Sequence, residues 1–386
     1  MLKLWMLTVL AAISTPAVAR PPVATAEQAA RLRTEGAQIL FWDQAQRDRN
    51  FPAMETIFPG TVVKAKRARR IPAGRSIEPT LGGHDAVSAM MTAGNIAGIV
   101  VLKDGKMVLE RYARTLKPGG RWTSFSVAKS FTSTLVGAAV KDGFIKSIDD
   151  PVTRYLPELI GSAYDGVSIR HILTMTSGVR WNEDYTDAKS DVGRMYAEPV
   201  GAGIDATTAY LKRLPREAAP GTKWVYKTGE TNLIGVLVTR ATGKGLSRYL
   251  SEKIWQPYGM ERDAFWMTDA GGQEIGGCCM SVALRDYARM GQFMLDGGRD
   301  VLPAGWIEAA TGPTIATGMR GGFYGYQWWT APDHYDALGI FGQSVRIDPK
   351  RRLVVVIVGA WPTARNREFE ARRTALLDAI ARAVDR

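Results

Sequence analysis

Hydrophobic and polar residues follow two different periods along this chain. Apolar residues at helical spacing from Ala26 to Arg47 predict an N-terminal helix, and the tail "NREFEARRTALLDAIARAVDR" predicts a closing amphipathic helix. The segment "IAGIVVLKDGKMVLERYA" has two apolar runs around Lys103-Asp104-Gly105, which is the pattern of a β-hairpin. We therefore expect helices and antiparallel strands in the same chain.

The pattern changes in the middle of the chain. From about Lys146 to Asp269 it favours helices and long loops, which predicts a helical insertion. After it, "GGCCMSVALRDYARMGQFMLDGG" indicates a strand that runs into a helix, and "YGYQWWT", "ALGIFGQSVRIDP" and "RRLVVVIVGAWP" indicate strands. The prediction is an α+β fold: an antiparallel sheet flanked by terminal helices, with an inserted all-helical subdomain.

Residues 1 to 19 have the features of a cleaved secretory signal. They contain one early lysine, an apolar stretch too short to span a bilayer, and the small residues Ala17 and Ala19 around Val18. Cleavage after Ala19 leaves one domain over residues 20–386. We expect an exported protein, periplasmic if the host has two membranes, with no later transmembrane helix. An uncleaved N-terminal anchor is the alternative.

Composition excludes a disordered chain, because 386 residues of which 46 % are hydrophobic can bury a large core. The net charge is +12, and removing Lys3 with the signal lowers it to +11. The densest basic block, Lys64 to Arg70, has neither the aromatic residues nor the reading helix of a nucleic-acid site. We expect a solvated loop with some attraction to anionic lipid surfaces, no nucleic-acid partner and no stable membrane anchor.

The two cysteines of the chain, Cys278 and Cys279, are neighbours. A bond between adjacent cysteines links no distant parts of a chain, so we expect two small buried residues and no disulfide. The H-E-x-x-H motif, cysteine-histidine metal spacings and the P-loop pattern are absent. No metal or other cofactor is therefore expected.

The stretch "TSFSVAKSFTSTLVGAAVKDG" places Ser126 and Lys129 at the start of a predicted helix. Residues three apart share a helix face, so the Lys129 amine can reach the Ser126 hydroxyl, and the free N–H groups of the helix start stabilise an anion. Serine needs a base to act as a nucleophile, and lysine serves only if burial or another cation lowers its pKa. The motif is short enough to arise by chance, so a polar start of a core helix is the alternative.

Other hydrolytic schemes fit the sequence less well. A Ser-His-Asp enzyme needs a histidine, and the chain has only His84, His171 and His334, without a G-x-S-x-G elbow. His171, in "RHILTMTSG", is expected to be a helix-packing residue. A lysine base is the scheme that remains.

Five blocks occur in a characteristic order: "SFSVAKSFTSTLVG", "LTMTSGVRWNEDY", "WVYKTGETNLIG", "SVALRDYARMG" and "YQWW…GIFGQSVRIDP". In these blocks the chain resembles the serine β-lactamase and penicillin-binding superfamily, in the branch of class C-like β-lactamases, family VIII carboxylesterases and aminohexanoate-oligomer hydrolases. The resemblance covers about residues 38 to 385. It implies a β-lactamase/transpeptidase-like fold and a hydrolase that forms an acyl-enzyme on Ser126.

The family's second box, Tyr-x-Asn or a variant, corresponds to Tyr226 in "WVYKTG". The resemblance implies that the Tyr226 phenol shares protons with Ser126 and Lys129, and a phenol beside an ammonium is expected to ionise more easily. A strand aromatic in the core is the alternative. Thr228 replaces the usual Asn or Ser, which puts an amide contact to the substrate in doubt.

The family's third box corresponds to Ile340, Phe341 and Gly342, where relatives have a cation, a hydroxyl residue and glycine. Gly342 is expected to let a substrate lie close to the strand, and the backbone N–H of Gln343 to join that of Ser126 as an oxyanion hole. The missing cation favours a neutral ester or amide over a carboxylate-bearing lactam. Arg346 is an alternative source of charge, unless it is a solvent-facing strand residue.

Two further substrate contacts follow from the resemblance. Nylon-oligomer hydrolases carry a loop tyrosine over the scissile amide, and Tyr185 in "WNEDY" corresponds to it, with an exposed loop aromatic as the alternative. Trp329, with its neighbour Trp328, is expected to line the acyl pocket or to belong to the core.

The sequence therefore predicts a secreted serine hydrolase that acts on a small-molecule ester, amide or lactam. Two alternatives remain: a D-Ala-D-Ala carboxypeptidase, for which the third box lacks a cation, and a penicillin-binding sensor that acylates without turnover. The oligomeric state is not indicated by the sequence.

Overall fold

The computed structural model describes residues 23–195, 205–319 and 322–386. The predicted signal, residues 1 to 19, and the predicted mature N-terminus at Arg20 lie outside these residues. Within the described ranges, no helix is both long and apolar enough to cross a membrane.

An eight-stranded sheet, antiparallel throughout, organises the fold. Its strands are β2 (Ile96–Lys103), β3 (Lys106–Tyr112), β7 (Ile315–Ala316), β8 (Phe323–Tyr324), β9 (Trp329–Thr330), β10 (Tyr335–Leu338), β11 (Ser344–Asp348) and β12 (Leu353–Gly359). They lie in the order β3-β2-β12-β11-β10-β9-β8-β7. Strands β2 and β12 are almost wholly buried, because helices cover both faces of the sheet.

The predicted hairpin is confirmed by the pairing of β2 with β3. Asp104 and Gly105 form the turn with φ of 51° and 73°. Positive φ at both central residues is what a two-residue type I′ loop requires.

Helices α3 (His84–Ala93) and α13 (Arg367–Val384) cover the outer face of the large sheet. Val87 of α3 and Ile380 of α13 pack there against Ile99, Val101 and Val355 of the strands. The predicted C-terminal helix is therefore confirmed. The helix beside it on this face is α3, not the predicted N-terminal helix. The sequence pattern did not single out α3.

The predicted N-terminal helix, Ala26 to Arg47, is divided in two: α1 (Ala26–Gln38) and α2 (Gln44–Asn50). Asp43 begins α2 with a capping box, in which its side chain accepts from the backbone N–H of Gln46. Apolar residues continue at helical spacing through the break. Only the capping residue Asp43 indicates that α1 has ended and a new helix begins.

The inner face of the large sheet packs against α11 (Leu284–Leu295), which follows a second, four-stranded sheet. This sheet has the order β1-β5-β6-β4 and consists of β1 (Gly60–Val63), β4 (Arg121–Thr123), β5 (Ala264–Met267) and β6 (Met280–Ala283). The predicted strand running into a helix is confirmed by β6 and α11. The helical insertion ends earlier than the predicted boundary near Asp269, since Ala264–Met267 pair with β1.

The remaining helices lie between β4 and β5 or precede β7. They are α4 (Val127–Lys141), α5 (Ile169–Leu173), α6 (Asp191–Arg194), α7 (Ala206–Leu211), α8 (Thr228–Thr242), α9 (Leu246–Leu250), α10 (Gln256–Tyr258) and α12 (Trp306–Thr311). Helix α8 packs against α4, α5 and α7, and α4 also contacts β10. The contact between α4 and α8 therefore joins the helical region to the sheet.

A substitution at Gly291 of α11 can show how closely this helix approaches the sheet. A Cβ at Gly291 would lie 2.5 Å from Cγ1 of Val354, which is fully buried on β12. Alanine usually stabilises a helix relative to glycine by about 1 kcal/mol. Overpacking reverses the sign here, and we expect Gly291→Ala to lower the free energy of unfolding by about 1–3 kcal/mol in urea titrations.

Gly36→Ala in α1 is the matched control, because its new methyl group would meet only Leu32, at 3.7 Å. It should leave the free energy of unfolding unchanged or raise it slightly. Equal stability of Gly291→Ala and the wild type would contradict the close approach of α11 to β12.

Candidate active site

Ser126 lies at the N-cap of α4, three residues after β4. Of residues 122 to 139 it is the only one that is not buried. Phe125 has a left-handed φ of 42°, and its ring packs against the rings of Phe51 and Phe341. The core thus fixes the backbone at this point, while the Ser126 side chain remains accessible.

Three oxygen atoms surround the amine of Lys129. Its Nζ lies 3.0 Å from Oγ of Ser126, 3.0 Å from Oγ1 of Thr228 and 2.7 Å from the carbonyl oxygen of Gly277. Lys129 is 1 % exposed, and this burial lowers the pKa of the amine from 10.5 to about 8. The structure therefore brings the predicted pair together and gives the lysine the desolvation that a base requires.

A carboxylate that the sequence analysis did not single out lies beside Thr228. Glu183 accepts hydrogen bonds from the backbone N–H of Thr228 at 2.9 Å, from the Thr228 hydroxyl, from the Trp181 indole, and from the Tyr185 hydroxyl at 2.8 Å. Its negative charge counteracts the burial of Lys129 and raises the pKa of that amine. Glu183 thus holds Thr228 beside the lysine and also fixes the Tyr185 hydroxyl.

The hydrogen bond to Glu183 fixes the direction of the bonds around Lys129. The Thr228 hydroxyl has one proton and donates it to the carboxylate, so its oxygen can only accept from Lys129. The Gly277 carbonyl also only accepts. When Lys129 is neutral, its two N–H bonds are taken by these acceptors, and its lone pair is left for the Ser126 hydroxyl.

Tyr226 completes the predicted catalytic group. Its ring centroid lies 5.2 Å from Nζ of Lys129, and the Ser126 hydroxyl is near enough to lower the pKa of the phenol. Burial raises the pKa of Tyr226 well above 10, and the charge of Glu183 raises it further. This direction is opposite to the expectation that the phenol ionises more easily, because burial and the carboxylate outweigh the Ser126 hydroxyl and the positive charge of Arg365, which lower the pKa.

The Gly277 peptide is held from both sides. Its N–H donates to Oδ1 of Asn232 at 2.7 Å, while its carbonyl accepts from Lys129. The next two residues, Cys278 and Cys279, are joined by a disulfide, so the expectation of free thiols is wrong. Cys279 has a positive φ of 75°, a local backbone conformation that the sequence pattern does not indicate.

Two backbone N–H groups are available where an oxyanion hole was predicted. Those of Ser126 and Gln343 donate to no acceptor within the described part of the chain. Their segments touch, since a Cβ on Gly339 would lie 2.6 Å from the Ser124 carbonyl oxygen. The buried Gln343 side chain exchanges hydrogen bonds of 2.9 and 3.0 Å with the backbone of Gly359, which holds this segment rigidly.

The third-box residues face in different directions. Phe341 is fully buried against Phe51, with ring centroids 5.5 Å apart, so only Ile340 is partly exposed. Gly342 has φ of 99°, and a Cβ there would lie 2.5 Å from Nε1 of Trp361. Backbone conformation and Trp361 therefore account for this glycine without a substrate.

Arg346 does not supply the missing cation. It makes two hydrogen bonds of 2.8 Å to the carboxylate of Asp336, and it lies opposite Val355, which packs under α13 on the outer face of the sheet. The alternative of a solvent-facing residue is also wrong, since burial and the ion pair enclose most of the guanidinium.

A different arginine lies near the site. Arg365 is exposed in the loop after β12, and its positive charge opposes the rise in pKa of both Tyr185 and Tyr226. It forms no ion pair with an acidic residue within the described ranges.

Aromatic residues line one side of the group. Trp329 stacks on Tyr226 with ring centroids 5.6 Å apart, and Trp224 and Tyr324 complete the cluster. Trp328 is buried and packs edge-on against Tyr335 in the core. The core interpretation is therefore confirmed for Trp328, and an acyl pocket lined by Trp329 stays a prediction.

The histidines lie outside this group. His84 pairs with the neighbouring Asp85, His334 with Asp333, and His171 caps α5 together with Ser168. Within the residues that the structure describes, no three potential metal ligands are clustered.

Comparison with known proteins decides the family. A model of the Beta-lactamase family matches residues 84–379, a range that includes every residue of the site described above. The chain belongs to the β-lactamase family. It is accordingly a hydrolase of this superfamily, as the sequence blocks predicted.

Relatives of different names share this family. The 6-aminohexanoate-dimer hydrolase of Paenarthrobacter ureafaciens is 31 % identical over 308 residues, which are 74 % of this chain and 78 % of that protein. The β-lactamase of Escherichia coli K12 is 30 % identical over 132 residues, 34 % of this chain and 31 % of that protein.

A solved structure from Bacillus anthracis, of a proposed 6-aminohexanoate-dimer hydrolase, superposes with a TM-score of 0.77 and 22 % identity, over 88 % of this chain and 94 % of that one. At this identity the likeness shows the fold alone. It confirms the predicted α+β, β-lactamase/transpeptidase-like class.

Sequence reasoning missed Glu183, Asn232 and Arg365. Glu183 had a usable signal, because it lies two residues before Tyr185, and residues two apart in an extended segment face the same side. Asn232 and Arg365 had none, since their proximity to the site depends on the packing of α8 and on the path of the loop after β12.

Glu183→Gln should change both the pH dependence and the plateau value of kcat/KM for this hydrolase. A carboxylate favours the charged lysine, so its removal should move the Lys129 pKa, and the acid limb of kcat/KM, below 8. The plateau should fall about tenfold or more, because the Thr228 hydroxyl loses a charged acceptor. A pH–rate profile with p-nitrophenyl butyrate measures both effects.

Asp184→Asn is the control within the same loop, because this exposed carboxylate accepts hydrogen bonds from Thr186. It should leave the limb and the plateau in place. An acid limb that stays put or moves upward in Glu183→Gln would exclude electrostatic coupling between Glu183 and Lys129.

Proposed function

We propose that this protein is an exported serine hydrolase that cleaves small esters or linear amides through an acyl-enzyme. The observation that carries the proposal is the buried Lys129 amine, hydrogen-bonded to Ser126 and with its pKa lowered to about 8. Lys129 forms no direct ion pair with an acid of the described residues, and a buried lysine without one is costly for a structural role alone. A base poised near neutral pH accounts for that cost.

In the proposed mechanism neutral Lys129 takes the proton of Ser126 as Oγ bonds to the substrate carbonyl carbon. The resulting oxyanion is held by the N–H groups of Ser126 and Gln343. The Tyr226 phenol, kept neutral by burial, gives its proton to the leaving alcohol or amine and is reprotonated from the Lys129 ammonium. Water then hydrolyses the acyl-enzyme by the same steps in reverse.

The substrate preference rests on the third box and on the aromatic residues. Ile340 stands where relatives carry a cation, and Trp329 beside Tyr226 provides an apolar surface for an acyl chain. The name of the Paenarthrobacter relative, a 6-aminohexanoate-dimer hydrolase, supports a linear amide as one substrate class. Tyr185, held by Glu183, is the residue we assign to covering the scissile bond.

Export rests on residues 1 to 19 alone, as do cleavage after Ala19 and a periplasmic location. We propose no cofactor, no nucleic-acid substrate and no stable membrane anchor.

One observation favours a second candidate, a lactam or D-peptide hydrolase. Arg365 places a positive charge within electrostatic range of Tyr226 and Tyr185. A substrate carboxylate held there would replace the contact that relatives make through the third box.

A sensor that acylates without turnover uses the same serine and would accumulate the acyl-enzyme.

Ser126→Ala tests the proposed nucleophile. It should abolish turnover of p-nitrophenyl butyrate and of a linear aminohexanoate amide, together with the acyl-enzyme seen by intact-mass spectrometry. Ser133→Ala, a buried serine of the same helix that donates to the Ser130 carbonyl, is the control and should retain both. Covalent label on folded Ser126→Ala would refute the assignment, and a wild-type acyl-enzyme that never hydrolyses would identify a sensor.

Arg365→Gln separates the two substrate classes. If neutral substrates are preferred, this change should leave kcat/KM for p-nitrophenyl butyrate within about twofold, and nitrocefin should remain the poorer substrate. Arg367→Gln, an exposed arginine two residues away, controls for the general loss of charge. If the wild type prefers nitrocefin and Arg365→Gln removes that preference by about tenfold or more, as expected for one lost charged contact, the carboxylate-bearing class is the right one.

A further inference from the structure

We propose that a basic face binds the protein reversibly to bilayer surfaces that carry anionic phospholipids. The basic face consists of Lys66, Arg67, Arg69, Arg70, Arg75 and Lys106. The proposed lipid binding rests on the distribution of charge on the folded surface. It does not depend on the proposed hydrolytic function.

The segment from Lys64 to Ile77 contains six cations and no acidic residue. It runs from the end of β1 to the edge strand β3, where the N–H of Gly74 donates to the Met107 carbonyl at 2.8 Å. Lys64 pairs with Asp263, but the other five cations are exposed and form no ion pair within the described residues. The segment is therefore an extended, positively charged edge of the fold.

Neighbouring acidic residues do not neutralise this face, because each already has a cation. Glu78 is paired with Arg111, Asp104 with Lys103 and Arg352, and Asp385 with Arg351. These acidic residues of the described ranges thus leave the charge of the basic face free to attract an anionic partner.

A cavity of about 580 Å³ lies at the end of this segment. Its cationic lining residues are Arg75, Lys103, Lys106 and Arg386, and the hydroxyl residues Ser76 and Thr80 add donors. Its one acidic lining residue, Asp104, pairs with Lys103 and Arg352. Ile77 and Val384 form part of its apolar wall. A phosphate with an attached glycerol or acyl part matches this combination, because the phosphate takes charged and hydroxyl donors and the remainder takes the apolar wall.

The face favours lipid over nucleic acid. Residues 64–77 contain no aromatic side chain, and none lines the cavity, so bases would have no surface on which to stack. The cations also lie in a loop and a strand edge, with no helix to enter a groove. Attraction to a charged surface needs only the cations themselves, at about a fivefold gain in partitioning for each one near the bilayer.

The test is sedimentation of the full chain with vesicles of 30 % phosphatidylglycerol in phosphatidylcholine, at low and at physiological salt. The quadruple variant Lys66→Gln, Arg67→Gln, Arg69→Gln, Arg70→Gln keeps the cavity, and the pair Arg75→Gln, Lys106→Gln keeps the loop. Lys141→Gln, Lys146→Gln, Lys189→Gln and Lys212→Gln, four exposed lysines elsewhere without an ion pair in the described ranges, form the matched control.

We expect the wild type to bind these vesicles but not pure phosphatidylcholine, and to release at high salt. The quadruple variant should bind about a hundredfold more weakly or worse, the pair about tenfold, and the control nearly as well as the wild type, all with unchanged hydrolysis of a soluble ester. An equal loss of vesicle binding in the control would mean that net charge alone causes the binding, and would overturn the assignment to the basic face. Absence of vesicle binding, or displacement of the protein from vesicles by poly(U) at equal phosphate concentration, would also overturn it.

Discussion

The burial of one amine, that of Lys129, is the constraint on which the rest of this site depends. An ammonium without water is stable only if every proton finds an acceptor, and a neutral amine has a use only if its lone pair meets a donor. Ser126, Thr228 and Gly277 provide these partners from the start of α4, the start of α8 and the loop before β6. The site can therefore exist only where these three elements meet.

Two partners of the amine are themselves held in place. Asn232 of α8 fixes the Gly277 peptide, and Glu183 fixes the Thr228 hydroxyl. These contacts give Thr228, which departs from the usual second box, a role in setting the direction of hydrogen bonds. The altered third box has a comparable explanation, since Phe341 belongs to the aromatic core with Phe51 and Phe125. Both departures are parts of the packing and hydrogen bonding that surround the lysine.

Local patterns could be predicted from the sequence, and contacts set by register or by loop paths could not. The spacing of Ser126 and Lys129 is fixed by the helix that carries them, and the β2–β3 hairpin by its two turn residues. The ion pair of Arg346 with Asp336 depends on the register of β10 and β11, which no short motif specifies. The raised pKa of Tyr226 depends on burial and on Glu183, which the resemblance to the family did not indicate. The break before α2 shows the reverse case, in which a local cap at Asp43 overrides a continuous apolar period.

If Lys129 is a desolvated base, the titration of its own amine must show it. With ¹³C at the ε-carbon of all lysines, the Lys129 signal is assigned by its absence from Lys129→Arg and followed against pH in the resting enzyme. We predict a midpoint near 8, set by burial of the amine. A midpoint at the ordinary lysine value of about 10.5 would contradict the account, because Lys129 would then be a permanent cation at neutral pH and no base for Ser126.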